Sequence, residues 1–75
     1  MLTENQTKAI QDLTKNSFPD DVATHYNKAD EFKIHADVIN AYQIIACAEA
    51  IKKHNLKGQI KRSGAGLSLI FSSIN

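Results

Sequence analysis

Hydrophobic positions near the start of the chain recur with the period of a helix. Thr3 and Gln6 have the spacing of a capping box, in which each side chain accepts a hydrogen bond from the other residue's backbone N–H. The apolar stripe that follows is narrow and consists of Ala9, Ile10 and Leu13. The pattern therefore predicts a helix from about Glu4 to Asn16.

The segment between residues 17 and 31 supports two interpretations. Pro19, followed by two aspartates, is typical of a helix N-terminus. Val22, Thr24 and Tyr26 also alternate with other residues in the manner of a strand. The sequence favours a short helix here, and a strand is the alternative.

The pattern from residue 32 to residue 55 predicts a strand and then the longest helix. Phe32, Ile34 and Ala36 alternate with polar residues, which indicates a strand with one buried face. The run VINAYQIIACAEAIKKHN then has the helical period, and Asp37 is its predicted N-cap. The predicted core face of this helix consists of Val38, Ala41, Tyr42, Ile45 and Ala48, and is widened by Ile44 and Ile51.

The two glycines in RSGAGLSLIF, residues 62–71, could cradle a phosphate or turn a hairpin. A phosphate-binding loop needs a helix directly after its glycines. The residues after Gly66 instead alternate as a strand, with leucines and Phe71 on one face and Ser68, Ile70 and Ser72 on the other. The sequence therefore predicts a hairpin that turns at residues 63–66, where glycine adopts a positive φ at no steric cost.

The six residues GAGLSL also match a short motif of a known protein family. They resemble the glycine-rich box of histidine-kinase ATPase domains. A chain of 75 residues is too short to contain such a domain, so no family is assigned.

Taken in order, these elements predict an α+β fold. We expect one small two-layer domain over residues 1–75, with an N-terminal helix and then a short sheet packed on the long helix; the sheet comprises a strand and the C-terminal β-hairpin. The final strand, residues 67–74, is uncharged and prone to pair with other strands. It must lie centrally in the sheet or pair with a second chain, and we expect a homodimer.

Composition and cysteine content indicate the cellular compartment in which the protein is expected. Apolar residues make up 43% of the chain and charged residues 23%, which is ordinary for a globular domain. Cys47 is the single cysteine, so no disulfide can form within the chain, and a lone thiol suits a reducing compartment. No apolar run has the length of a signal peptide core or a membrane span. We therefore expect a soluble, cytoplasmic protein that does not bind membranes.

Charge is divided unevenly along the chain. Residues 1–49 contain all eight acidic residues and four lysines, whereas residues 50–75 contain five basic residues and no acid. The asymmetry predicts a basic patch where the long helix ends and the hairpin begins. The candidate nucleic-acid-binding residues are Lys52, Lys53, Lys57, Lys61 and Arg62.

Catalytic and metal-binding patterns are weak. Cys47 lies among apolar residues of the predicted helix, where a buried thiol is a better interpretation than a nucleophile. His25, His35 and Asp37 lack the spacing of a zinc motif. The acidic pairs at residues 20–21 and 30–31 fit solvated turns better than acid–base chemistry. We expect no enzyme activity, no metal and no cofactor.

Two binding functions remain. The first is contact with the backbone of a nucleic acid through the basic patch, which would be independent of sequence and sensitive to salt. The alternative is a protein-binding regulator or inhibitor, homodimeric, that uses an edge strand or its acidic N-terminal surface. That acidic surface consists of Asp12, Asp20, Asp21, Asp30 and Glu31.

Overall fold

A computed structural model describes residues 1–74, which form one layer of helices and one layer of sheet. The elements in chain order are α1 (Glu4–Ser17), β1 (Ala23–Tyr26), β2 (Glu31–Ala36), α2 (Ala41–His54), β3 (Leu56–Ser63) and β4 (Gly66–Ser73). The four strands form one antiparallel sheet in the order β1-β2-β4-β3, and the helices pack on one of its faces. The predicted small α+β fold is confirmed. Within the described residues, neither helix is long and apolar enough to cross a membrane.

Both helices begin with a capping box. The predicted box of Thr3 and Gln6 is confirmed, and α1 ends one residue beyond its predicted end. The N-cap of α2 is Asn40, whose side chain accepts from the backbone N–H of Gln43, so the prediction of Asp37 was wrong. Asparagine and glutamine three residues apart close a complete box, whereas Asp37 directly follows the last residue of β2 and lies outside the helix.

The segment after α1 forms a strand, so the favoured interpretation of a short helix was wrong. Its backbone pairs with β2 through four residues, from Ala23 opposite Ile34 to Tyr26 opposite Glu31. Pro19 and the two aspartates form the turn that precedes this strand. The ladder with β2 closes a hairpin between consecutive strands, and its cross-strand pairs outweigh the preference for a helix that begins at a proline.

The core lies between the helices and one face of the sheet. Its most buried large side chains are Ile10, Phe18, Ile34, Leu56 and Phe71. Helix α2 contributes Cys47, with its alanines at 46 and 50 and Ile51 packed around the cluster. The predicted core face of α2 was wrong for its five main residues, which are all exposed: Val38, Ala41, Tyr42, Ile45 and Ala48. Of the two residues predicted to widen that face, Ile44 is exposed and Ile51 packs against the core as predicted. Apolar residues occur on both sides of this helix, and the side with small residues is the one that packs against α1 and the sheet.

The hairpin of β3 and β4 confirms the predicted turn. Ser63 pairs with Gly66 across a two-residue turn, and Gly64 has a φ of 61°. A positive φ at the first of two turn positions matches a type II′ turn. Strand β4 lies between β2 and β3, so the uncharged final strand is covered on both sides within one chain.

Candidate functional site

The helices cover only one face of the sheet, and the other face carries mostly polar side chains. Successive side chains of a strand point to opposite faces, so the residues that alternate with the core positions belong to this open face. The open face consists of Thr24 and Tyr26 of β1, Glu31, Lys33 and His35 of β2, Ser68, Ile70 and Ser72 of β4, and Lys57, Gln59 and Lys61 of β3.

The open face has an excess of positive charge. Lys33, Lys57 and Lys61 are its bases, and Glu31 is the single acid among its strand residues. The Nζ atom of Lys33 lies 4.0 Å from Glu31 Oε1 and 4.6 Å from the centre of the Tyr26 ring. Lys57 and Lys61 are exposed and form no ion pair with any residue from 1 to 74. These two ammonium groups are therefore free to bind an anion.

Hydrogen-bond donors lie in a row across the open face beside one of these lysines. His35 is opposite Ser68, and Ser68 is opposite Lys61. The His35 ring nitrogen Nδ1 lies 3.4 Å from the Ser68 hydroxyl. Neighbouring strands are about 4.8 Å apart, so an imidazole, a hydroxyl and an ammonium group span about 10 Å. The row can donate hydrogen bonds to the oxygens of a phosphate or carboxylate.

The structure does not bring the five predicted basic residues together. Lys57 and Lys61 lie on the open face of β3, whereas Arg62 points to the side of the sheet where the helices pack. Lys52 and Lys53 lie in the last turn of α2, in the helix layer. Arg62 is also at the hairpin end of β3, about 20 Å along the strand from the end of α2. The predicted patch therefore divides into two open-face lysines and three residues elsewhere.

Two open-face residues were missed by the sequence analysis. Lys33 and His35 lie on β2, and β4 connects them to the lysines of β3. The polar face of β2 was visible in its alternation, but the sequence did not show that β2 would neighbour β4. The strand order was the missing information.

The histidines and the acidic residues are distributed among separate contacts. His25 stacks on Phe32 and lies 3.1 Å from an oxygen of Asp30, while His35 contacts Ser68. Across residues 1–74, no group of three histidine, cysteine or acidic side chains is arranged to hold a metal ion. Among the predicted acidic surface residues, Asp12 and Asp20 are exposed, whereas Asp30 is engaged in contacts.

The Asp30 carboxylate connects the start of α1 to the turn between β1 and β2. One oxygen accepts a 2.6 Å hydrogen bond from the backbone N–H of Leu2, and the other contacts His25. The terminal amine of Met1 lies 3.8 Å away. The hydrogen bond from Leu2, followed by the one from His25, holds the pKa of Asp30 below its usual value.

No base lies beside Cys47 among residues 1–74. The thiol is buried in the core cluster, and burial raises its pKa. A raised pKa keeps the thiol protonated and unreactive at neutral pH. The structure thus supports the interpretation of Cys47 as a packing residue.

A second surface, formed by α2 and β3, is apolar. It consists of Ile44, Ile45 and Ala48 of α2 and Ile60 of β3, and we call it the α2–β3 surface. Ile45 is 54% exposed and Ile60 is 57% exposed. A groove of about 200 Å³ lies between the two elements, and Cys47, Ile51 and Gly58 form part of its lining.

The open face and the α2–β3 surface are thus the two surfaces with features beyond ordinary solvation. Comparisons of the chain with protein-family models, with curated proteins and with solved structures gave no match.

Proposed function

We propose that the protein is a non-enzymatic binding module that contacts the phosphate backbone of nucleic acid through its open face. The observation that carries this proposal is the placement of three lysines, one histidine and two serines on a sheet face that no helix covers. Phosphate contacts of this kind use lysine together with hydroxyl side chains. They position a protein on nucleic acid without selecting a sequence.

Single-stranded nucleic acid fits this surface better than a duplex. The open face is a shallow sheet surface, and Tyr26 supplies one exposed aromatic ring at its β1 edge. Aromatic rings stack on unpaired bases, whereas a lysine groove follows the backbone. The Lys33 ammonium covers one face of that ring, so a base would stack on the opposite face and a phosphate would bind beside it.

Salt dependence gives a quantitative test of the proposal. Three neutralised phosphates on a single strand correspond to a slope of about −2 in log affinity against log salt. Raising salt from about 50 to about 200 mM should then weaken binding about 20-fold. The measurement is fluorescence anisotropy with labelled single-stranded and double-stranded oligonucleotides.

Two of the predicted basic residues lie on the open face and two lie in the helix layer, so one pair serves as a control for the other. Lys57→Gln/Lys61→Gln removes two open-face charges and should reduce the slope by about 1.4. Lys52→Gln/Lys53→Gln removes the same charge from exposed positions in the helix layer and should leave the slope unchanged. Absence of binding at low salt, or an equal loss in both variants, would refute the open-face proposal.

The alternative function, a protein-binding regulator, is favoured by a different observation. The α2–β3 surface exposes large apolar side chains, and such patches are typical of protein interfaces. A protein bound there would not depend on Lys57 or Lys61. A binding activity lost in Ile45→Lys and retained in Lys57→Gln/Lys61→Gln would therefore support the regulator.

A further inference from the structure

The open face has two outer rows of side chains that differ in charge. In each row, a residue of β2 is opposite a serine of β4, and that serine is opposite a lysine of β3. The rows are His35, Ser68 and Lys61, which we call the histidine row, and Glu31, Ser72 and Lys57, which we call the glutamate row. A strand rises about 3.4 Å per residue, so the two rows lie about 14 Å apart. One row therefore has an imidazole where the other has a carboxylate.

The two rows should accept anions of different charge. A phosphodiester within a nucleic-acid strand carries a single negative charge. A phosphomonoester at the end of a strand carries about −1.5 to −2 at pH 7 and has three strong acceptor oxygens. In the glutamate row, the Glu31 carboxylate repels the additional charge, although Lys33 Nζ lies 4.0 Å from it. The histidine row contains no acid, so it is the better site for a phosphomonoester.

The side chains of the histidine row keep free hydrogen-bond donors. His35 Nδ1 lies 3.4 Å from the Ser68 hydroxyl oxygen. If the ring donates to that oxygen, the hydroxyl hydrogen stays free; if the hydroxyl donates to the ring, the other ring nitrogen carries a free N–H. Lys61 is exposed, and its ammonium group is a further donor. The row can therefore donate to more than one oxygen of the same phosphate group.

The basic part of the open face ends at the histidine row. The turn beyond it, residues 63–66, is uncharged. A Cβ at Gly66 would lie 3.1 Å from His35 Nε2, so the ring lies directly against the backbone of this turn. On β2, the residue that follows the strand is the acid Asp37. A nucleic-acid strand that continued past this row would meet no further cation on this face, whereas a strand that ends here loses nothing.

We propose that the histidine row binds the terminal phosphomonoester of a single-stranded nucleic acid. This inference rests on the proposed contact of the open face with nucleic acid, and it adds that the strand ends at this row. The internal phosphates are then bound by Lys33 and Lys57. A 5′-phosphate and a 3′-phosphate present the same chemistry, so both ends are tested.

Fluorescence anisotropy with short thymidine oligonucleotides measures the preference for a phosphorylated end. One pair has a 5′-phosphate or a 5′-hydroxyl and carries its label at the 3′ end, and a second pair has the reverse arrangement. At about 50 mM salt, one phosphorylated end should bind about tenfold tighter than the matching hydroxyl end, because hydrogen bonds to a charged group are stronger. A longer oligonucleotide with hydroxyl ends adds similar charge as internal phosphodiesters and should gain less than about threefold.

A charge-matched pair of variants assigns the preference to the histidine row. His35→Glu gives this row the carboxylate of the glutamate row and should reduce the preference to about twofold or less. Thr24→Glu adds the same charge to the open face two strands from Ser68, and should keep a preference of at least about fivefold. Both positions are exposed, so both variants should keep the wild-type circular dichroism spectrum.

Removal of one hydroxyl from each row gives a second comparison. Ser68→Ala should reduce the preference for the phosphorylated end by about threefold or more, because a hydrogen bond to a charged group is lost. Ser72→Ala, which is half-buried like Ser68, should leave that preference unchanged. The preference is a ratio of two affinities of the same variant, so a change in overall affinity does not affect it.

The remaining outcomes separate this inference from the proposed function. Equal affinities for phosphorylated and hydroxyl oligonucleotides at both ends would overturn the end site and leave backbone binding intact. A preference that persists in His35→Glu, or an equal gain from the longer oligonucleotide, would overturn it as well, because added charge alone would then explain the affinity. If no oligonucleotide binds at low salt, the proposed function fails and the end site fails with it.

Discussion

Gln6 and Gln43 perform the same task at opposite ends of the helix pair. Each is the glutamine of its helix's capping box and accepts a 2.9 Å hydrogen bond from the N-cap backbone N–H. Each also donates from Nε2 to the end of the other helix. Gln6 donates to the carbonyls of His54 and Asn55, and Gln43 donates to the carbonyl of Ser17. The two helices are therefore antiparallel and cap one another.

Replacing either glutamine with glutamate keeps the hydrogen bond accepted from the N-cap and removes the one donated to the other helix. Glutamate can still accept in a capping box and is favoured near a helix N-terminus. It cannot donate to the carbonyls of the other helix, and its negative charge would face them. We expect Gln6→Glu to lower the free energy of unfolding by about 2 kcal/mol and Gln43→Glu, which is less buried, by about 1 kcal/mol.

Urea unfolding at neutral pH measures these changes. Gln11→Glu, at an exposed position of α1, is the matched control and should change stability by less than about 0.5 kcal/mol. The two capping sites lie at opposite ends of the helices, so the double variant should show additive losses. A Gln6→Glu chain as stable as the wild type would mean that the contact between the helices contributes nothing.

Gly64 and Gly66 are required for different physical reasons. Gly64 has a positive φ and open space around it, so its constraint is the backbone. Gly66 has no positive φ, but a Cβ there would lie 2.8 Å from the carbonyl oxygen of Ala36. That oxygen belongs to the backbone of β2 and cannot move without disturbing the sheet.

The same substitutions should therefore change stability differently at the two glycines. Gly64→Ala should cost about 1 kcal/mol, and Gly64→Asn should cost less because primed turns accept asparagine as well as glycine. Gly66→Ala should cost about 1–3 kcal/mol through overcrowding, and Gly66→Asn should cost at least as much. Thermal unfolding of the four variants distinguishes these cases. If asparagine restored stability at position 66, the steric explanation would be incorrect.

Local patterns predicted the parts of the fold that depend on nearby residues. The capping box of α1, the strand β2 and the turn at Gly64 each involve residues a few positions apart, and all three are confirmed. The strand β1 depends on pairing with β2 across a hairpin, and the buried face of α2 depends on distant partners; neither is visible in the element's own pattern, and both predictions were wrong. Helix α2 has apolar residues on both faces, so its own pattern could not show which face α1 and the sheet would cover.

The candidate site, like the fold, could be predicted only as far as it depends on local sequence. The sequence showed that the last third of the chain is basic, and it identified Lys57 and Lys61 among five residues. Which of the five share a surface depends on the face of the sheet to which each side chain of β3 points, and on where α2 packs. Lys33 joins them only because β4 lies between β2 and β3. The α2–β3 surface could not be predicted, because its residues have the composition of a core.

Asp30 should make stability depend on pH in the acidic range. Its pKa in the folded protein lies below the ordinary value of 3.8, so its ionised contacts stabilise the fold fully above that value. The contribution is lost as pH falls through the lower folded pKa. Asp30→Asn should therefore be less stable than the wild type at neutral pH, and the difference should shrink below about pH 4.

Asparagine is a suitable replacement because Asp30 has a φ of 50°. Asparagine tolerates that conformation, so the substitution tests the charge and not the backbone. Asp20→Asn, at an exposed position, is the control and should follow the wild type at every pH. Denaturant midpoints across the acidic range measure both variants. A stability difference that stays constant down to about pH 2 would show that ionisation of Asp30 is not the cause.

The Cys47 thiol should report on opening of the core between α2 and the sheet. Burial raises its pKa above the ordinary value of 9.0, so less thiolate is present in the folded chain than in the unfolded chain at the same pH. We expect the native thiol to react with an aromatic disulfide reagent at pH 8 roughly tenfold or more slowly than in denaturant. Stability should also fall as pH rises above about 9, because only the unfolded thiol ionises readily there, and Cys47→Ala should lack that fall. Equal reaction rates in the native and unfolded chains would mean that α2 does not cover this side chain in solution.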